Sequence, residues 1–193
     1  MKLIIASNNA HKVQEIKQIL DGKFEKILSL REAGVDHETV EDGSTFAENA
    51  LKKAREIAAI TGYVAMADDS GLCVNALNGA PGLYSARYSG CEDKSLVDKA
   101  NNDLLLKNLE GKSDRSAYFI CSVALVYPDG REVVAEGRMP GRIIDDPRGA
   151  KGFGYDPIFL PDGESRTAAE LSDEEKNAIS HRGRALKNLL DKI

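Results

Sequence analysis

The stretch Arg115–Met139 constrains the fold most. It reads RSAYFICSVALVY, then PDG, then REVVAEGRM. Two runs rich in β-branched and aromatic residues, joined by a proline that presets φ and a glycine that tolerates a tight turn, predict a long β-hairpin. Elsewhere single strands alternate with helices. Lys2–Ser7 is a short isoleucine-rich run that reads as a buried strand, Phe24–Leu30 is a weaker candidate, and Tyr63–Ala67 and Leu72–Asn75 read as two more. Val13, Ile16, Ile19 and Leu20 share a helical face, and Ser7, Asn8 or Asn9 can cap that helix. Phe46, Ala50, Leu51, Ala54, Ile57 and Ala58 form the stripe of a second helix, with Asp42 or Ser44 as its cap and Gly62 as its stop. A third helix spans 93–109. The last opens at SDEE, where Ser172 and Glu175 have capping-box spacing. This mixture predicts an α/β fold of one domain, 1–193, with a mixed central sheet flanked by helices and two lobes.

Composition narrows the function. A net charge of −5 disfavours a nucleic-acid polymer as partner, because neutralising phosphates takes a surplus of Lys and Arg. It leaves room for a local cationic pocket. Cys73, Cys91 and Cys121 show neither metal-site nor disulfide-framework spacing and read as reduced thiols. Only four apolar residues run together in MKLIIASNN, and no stretch approaches the ~20 needed to span a membrane. A cytoplasmic enzyme with no membrane partner is the expectation.

Four segments carry chemistry. In MADDSGL an apolar run stops at Asp68 and Asp69, followed by Ser70 and Gly71. Neighbouring carboxylates raise each other's pKa and oppose folding unless something positive sits among them. A pair ending a strand can hold Mg²⁺, which prefers oxygen ligands; the plainer reading is a turn in which Asp69 or Ser70 caps local amides. Glu38, Glu41 and Asp42 precede the second helix, where acids suit the dipole, and a further ligand would come from that loop. Ser7–Lys12 has the strand–turn–helix form of an anion site, although capping alone explains Ser7 and Asn8. In GFGYDP, Phe153 lies between glycines and can stack on a base, while Pro157 pushes Asp156 towards an extended conformation. Lys176, His181 and Arg182 offer donors that would suit a 6-oxo purine; the plainer readings are a packed aromatic in a glycine-rich bend for Phe153, and a cationic helix face with a structural histidine for the other three.

The blocks SNNAHKVQEI, GSTFAENALKKA, ADDSGLCVNALNGAPGLYSARY, GFGYDPIF and EKNAISHRGRAL, in that order over residues 7–186, resemble the inosine triphosphate pyrophosphatase family, the Ham1-like non-canonical purine NTP pyrophosphatases. The resemblance implies a Mg²⁺-dependent homodimeric enzyme that cuts dITP, ITP and XTP to the monophosphate and pyrophosphate, with its site in a cleft between two lobes. Carried over by position, Ser7, Asn8, Asn9, Ala10, His11 and Lys12 hold the triphosphate. Glu41 and Asp69 serve the metal. Asp69 would also accept the proton, with Asp68 beside it in support, and Lys12 would stabilise the charge that builds on the leaving pyrophosphate. Ser70 touches substrate, and Phe153, Gly154, Tyr155, Asp156, Lys176, His181 and Arg182 read the base. Tyr84 and Arg87 fall in a matching block without a role that their chemistry assigns. A non-catalytic nucleotide sensor and a pyrimidine-directed relative are the competing expectations; substrate turnover excludes the first and a substrate panel the second.

Overall fold

A computed structural model describes residues 2–193. The strands are β1 (Lys2–Ile5), β2 (Lys26–Ser29), β3 (Val64–Val74), β4 (Ser116–Val126), β5 (Glu132–Ile143) and β6 (Phe159–Pro161). The helices are α1 (Ala10–Ile19), α2 (Phe46–Thr61), α3 (Val97–Asn108), α4 (Asp173–Ile179) and α5 (His181–Leu190). One six-stranded sheet runs in the order β2-β1-β3-β4-β5-β6. It is mixed: β1 pairs parallel with β2 and β3, whereas β5 and β6 are antiparallel. The parallel β1–β2 pair needs a crossover, which α1 provides. β4 and β5 form the expected hairpin, with Gly130 at φ +87° in the turn.

By internal contacts the chain divides into two compact units. The first takes in the chain as far as Asp69, Cys121–Gly137 and His181–Ile193; the second comprises Ser70–Ile120 and Arg138–Ser180. In the first, side chains alternate across the sheet as the strand period of two requires. Leu3, Ile5, Met66, Cys121, Val123 and Leu125 face one way, packed with Ile16 of α1, Leu20 at its C-terminal cap, and Ala185, Leu186 and Leu189 of α5. Ile4, Ala65, Ala67, Ala124 and Val126 face the other, against Ala50, Ala54, Ile57 and Ala58 of α2. α5 lies hard against β5: a Cβ on Gly137 would fall 2.3 Å from the Ala185 nitrogen and the His181 oxygen, so only glycine fits. The second unit has its own core of Leu72, Val74, Phe119, Met139, Ile143 and Phe159 with Leu105 of α3 and Leu109 at its C-terminal cap. All three cysteines are free thiols.

Several boundaries differ from expectation. Thr45 caps α2, its side chain accepting from the Glu48 amide, while Ser44 bonds the Glu48 carboxylate and Asp42 pairs with Lys52. The expected single last helix is two: the Ser172/Glu175 capping box opens α4, and Ser180, at φ −66° and ψ 156°, breaks the chain before α5. Most consequentially, the two strands expected on either side of Asp68–Gly71 are one. β3 runs unbroken through both carboxylates, so they lie mid-strand rather than at its end.

Candidate active site

Mid-strand placement reverses the first reading of the aspartate pair. Successive residues of a strand point to opposite faces, so Asp68 and Asp69 cannot share one cation as a turn pair would. In the first unit each has its own nearest cations, while Lys12 and Lys53 act on both.

Asp68 points to the face covered by α1 and α5 and is 1% exposed. Its Oδ2 accepts from Arg182 Nε at 3.2 Å and Nη2 at 3.0 Å, with Lys12 Nζ at 3.2 Å. Arg182, also 1% exposed, directs Nη1 to Glu15 of α1. Burial pushes the Asp68 carboxyl up, but Lys12, Arg182 and Lys53 outweigh it and hold the group well below the usual carboxylate range. The Cys121 thiol beside it is pushed up by burial and, next, by the Asp68 charge, so it stays protonated and inert. This cluster joins three elements around one permanent negative charge.

Asp69 points to the α2 face and is 8% exposed. Asn49 Nδ2 donates to its Oδ2 at 3.0 Å, and Lys53 Nζ lies 3.8 Å from Oδ1. Lys53 also reaches Glu41 Oε1 at 2.5 Å, so the two carboxylates flank a single ammonium. Burial, the largest influence, lifts the Asp69 carboxyl above its ordinary range against the pull of Lys53 and Lys12. Two neighbouring aspartates thus have opposite chemistry: one fixed as an ion, the other poised to take a proton.

Among the described residues no three His, Cys, Asp or Glu side chains converge as a metal cage. Glu41 and Asp69 form a two-carboxylate oxygen set facing one cation. That fits Mg²⁺, which takes one or two carboxylates and completes its shell with substrate phosphates and water. It would not suit a metal that needs a full protein cage.

The turn after β1 is built for α1. Asn9 caps the helix, its Oδ1 accepting from the His11 and Lys12 amides at 3.0 and 3.2 Å, and Ser7 Oγ accepts from the Asn9 amide. The Asn9 carboxamide therefore takes two of the amides that an anion would use, leaving the helix dipole and the Lys12 ammonium as the main cationic features. Asn8 Nδ2 donates to the His37 carbonyl at 3.3 Å.

The second unit holds the GFGYDP segment. Phe153 is half-buried, with Lys176 Nζ 5.0 Å from its ring centroid. Lys176 bonds Asp156 Oδ2 at 2.6 Å, and that oxygen also accepts from the Phe153 amide. Asp156 opens a 3₁₀ turn instead of lying extended before Pro157, because these tertiary bonds override the local preference. A Cβ on Gly152 would fall 2.1 Å from Asp156 Oδ2, and its φ of +71° independently demands glycine. Asp98 accepts from the Gly154 amide and Asn102 donates to its carbonyl. Tyr155 is buried, its hydroxyl donating to the Ser85 carbonyl. Ser70 follows Asp69 on β3 and is half-buried. His181 is buried at the start of α5. Tyr84 stands exposed with Arg87 over its ring at 5.1 Å.

Asn49, Lys53 and Glu15 were missed from sequence. The signal was present in GSTFAENALKKA, where Asn49 and Lys53 lie four apart beside the apolar stripe of α2, the separation that stacks side chains on one helical face.

A family model described as the Ham1 family matches residues 3–192. The chain belongs to the Ham1 family. A curated relative from Clostridium perfringens, called dITP/XTP pyrophosphatase, is 50% identical over 200 residues, spanning 100% of this chain and 97% of its own. Among solved structures, the Ham1 protein of Staphylococcus aureus superposes with a TM-score of 0.87 at 40% identity, covering 100% of this chain and 97% of that one. A HAM1 protein from Coxiella burnetii gives the same TM-score at 43% identity with complete coverage of both chains. The mixed α/β sheet described above is the Ham1 fold. Among the described residues, no helix is long and apolar enough to cross a membrane.

Proposed function

We propose that this Ham1 family chain hydrolyses non-canonical purine nucleoside triphosphates (dITP, ITP and XTP) to the monophosphate and pyrophosphate. The observation that carries the reading is Asp69: a nearly buried carboxylate with raised proton affinity, held by Asn49 and facing Lys53 and Glu41. A carboxylate so placed suits general-base work. The relatives' names supply the substrate class.

In the proposed mechanism Asp69 takes a proton from water as its oxygen attacks the α-phosphorus. The bond from that phosphorus to the bridging oxygen breaks, and pyrophosphate leaves with the electron pair. Lys12 and Lys53 stabilise the charge that develops, an electrostatic contribution requiring no covalent intermediate. Glu41 and Asp69 would hold Mg²⁺, which when bound neutralises the polyphosphate and polarises the phosphoryl oxygens. Asp68 does not act on substrate directly; it anchors Lys12 and Arg182. Ser7, Asn8, Asn9, Ala10 and His11 line the triphosphate turn, with Ser70 beside Asp69 as a further contact. Phe153 provides a face for the base, and Lys176, oriented by Asp156, donates towards O6. Adenine presents an amino group there and would leave the donor unpaired. His181 and Arg182 complete the base-reading set, and the buried ion pairs of Arg182 mean that it would have to exchange partners to do so.

The site of attack is testable in water enriched in ¹⁸O. One label in dIMP and none in pyrophosphate is expected. Label in pyrophosphate would move attack to the β-phosphorus and remove Asp69 from its role.

A further inference from the structure

Asn49, Lys52, Lys53 and Glu56 recur on α2 at i, i+3, i+4 and i+7, which brings them onto one helical face. Each holds something outside the helix. Asn49 Oδ1 accepts from the Gly43 amide at 2.8 Å, Lys52 pairs with Asp42 at 2.6 Å and Lys53 with Glu41 at 2.5 Å. Glu56 takes two bonds on one oxygen: His37 Nε2 lies 2.7 Å from Oε2, and Thr39 Oγ1 donates to it at 2.5 Å. As the helix numbers rise, those of the segment fall, 43, 42, 41, then 39 and 37. Residues 35–43 have no regular secondary structure, so these rungs define their path along α2.

We propose that Glu56 is a positioning residue that sets the register of the segment bearing Glu41. It rests on the reading above in which Glu41 holds a divalent cation. Glu56 touches neither Asp69 nor Glu41; it acts through His37 and Thr39. Lys52 and Lys53 cannot fix the register, because an ammonium on a flexible stem is a point charge that follows its carboxylate; Asn49 holds one side of Glu41 at Gly43, and Glu56 holds the other. Glu56 pins the segment at two residues near Glu41. A slip of one residue along extended backbone would move Glu41 by about 3.3 Å, against a tolerance of about 0.2 Å for a metal–oxygen bond. The same anchor extends to the triphosphate turn, since the carbonyl of His37 accepts from Asn8 while its ring bonds Glu56. Glu56 therefore holds the phosphate turn and the metal carboxylate at a set separation.

The test compares wild type with Glu56→Ala by two readouts. One is the Mg²⁺ concentration that half-saturates dITP cleavage; the other is amide hydrogen exchange across residues 35–43 without metal. The account expects half-saturating Mg²⁺ to rise about 10-fold, as for loss of an outer-shell support, with a smaller fall in kcat at saturating Mg²⁺. Exchange should quicken in 35–43 and not in β3. A purely structural role would lower the melting temperature and leave the Mg²⁺ dependence unchanged, which would overturn the proposal; unchanged exchange in the segment would do the same. If Glu56→Ala does not fold, Thr39→Val removes one of the two bonds, and the same two readouts must move in the same direction. Should wild type leave dITP uncut at every Mg²⁺ concentration, the functional reading fails, while exchange still decides whether Glu56 holds the segment.

Discussion

Asp68→Asn and Asp69→Asn change adjacent residues by the same atom, yet the account predicts opposite consequences. Asp68 is buried against Arg182 and Lys12, at 3.0–3.2 Å from each. Asparagine keeps the shape, so no cavity forms, but it leaves the buried Arg182 guanidinium and the Lys12 ammonium short of a counter-charge. Removing one partner of a buried pair costs about 3–5 kcal/mol. For a chain of this size each kcal/mol lowers Tm by about 2–4 °C, so Asp68→Asn should melt roughly 6–20 °C below wild type. The Asn carbonyl still accepts one bond from Arg182, and Glu15 keeps part of the charge balanced, which favours the lower end. Asp69 differs because burial penalises its charge. Asp69→Asn should melt at or above the wild-type temperature while dITP cleavage falls by ~10²-fold or more, the usual worth of a positioned base. Circular dichroism melts at pH 7.5 and single-turnover assays on the same samples check both. If Asp68→Asn melts within 3 °C of wild type, the buried-pair reasoning fails. If Asp69→Asn keeps near-wild-type kcat, Asp69 is not the base.

Other outcomes follow from the same geometry. Lys176→Ala should reduce the preference for dITP over dATP by roughly 10- to 100-fold, the value of a charge-assisted hydrogen bond; the ratio is measured within one sample, so loss of folded protein cancels, and an unchanged ratio removes Lys176 from base reading. Gly152→Ala drives a methyl into Asp156 Oδ2 and strains a φ of +71°, so KM for dITP should rise more than kcat falls, and an unaltered KM would detach the Asp156–Lys176 pair from the base. The pH dependence separates the two aspartates. Asp68, held low in the fold, contributes stability that is present above its unfolded value of ~3.9 and lost as pH falls through the folded one. Asp69 is raised, so its ionised form opposes folding at neutral pH and that cost disappears on acidification. In the protein without metal the Asp69 carboxyl should therefore titrate above ~3.9 when followed by carboxyl NMR, and titration at or below that value would contradict the raised Asp69.

The sequence made the hairpin, the α1 and α2 stripes and the Ser172/Glu175 cap legible because these signals are local: period, turn residues, capping spacing. The unbroken β3 was not legible. Two adjacent aspartates mark a strand end when only neighbours are considered, and the cations that admit them come from Lys12, Lys53 and Arg182, between 16 and 114 positions away. The same non-locality hid the 3₁₀ turn at Asp156, which Pro157 disfavours and the bond to Lys176 maintains. The break at Ser180 carries no glycine or proline, so nothing in the chain announces it. Site residues were found where their types were distinctive, as in the aspartates and Phe153. Asn49 and Lys53 look like the solvated border of an amphipathic helix, and only the position of Asp69 on β3 shows what they face.

The central claim is metal-dependent cleavage of a 6-oxo purine triphosphate at the α-phosphorus. Product analysis of pure protein incubated with dITP, dGTP and dATP, each with and without Mg²⁺, tests it most directly. The account predicts dIMP and pyrophosphate from dITP only when Mg²⁺ is present, with dATP largely spared. Appearance of dIDP and orthophosphate, or binding of dITP with no turnover, would contradict it.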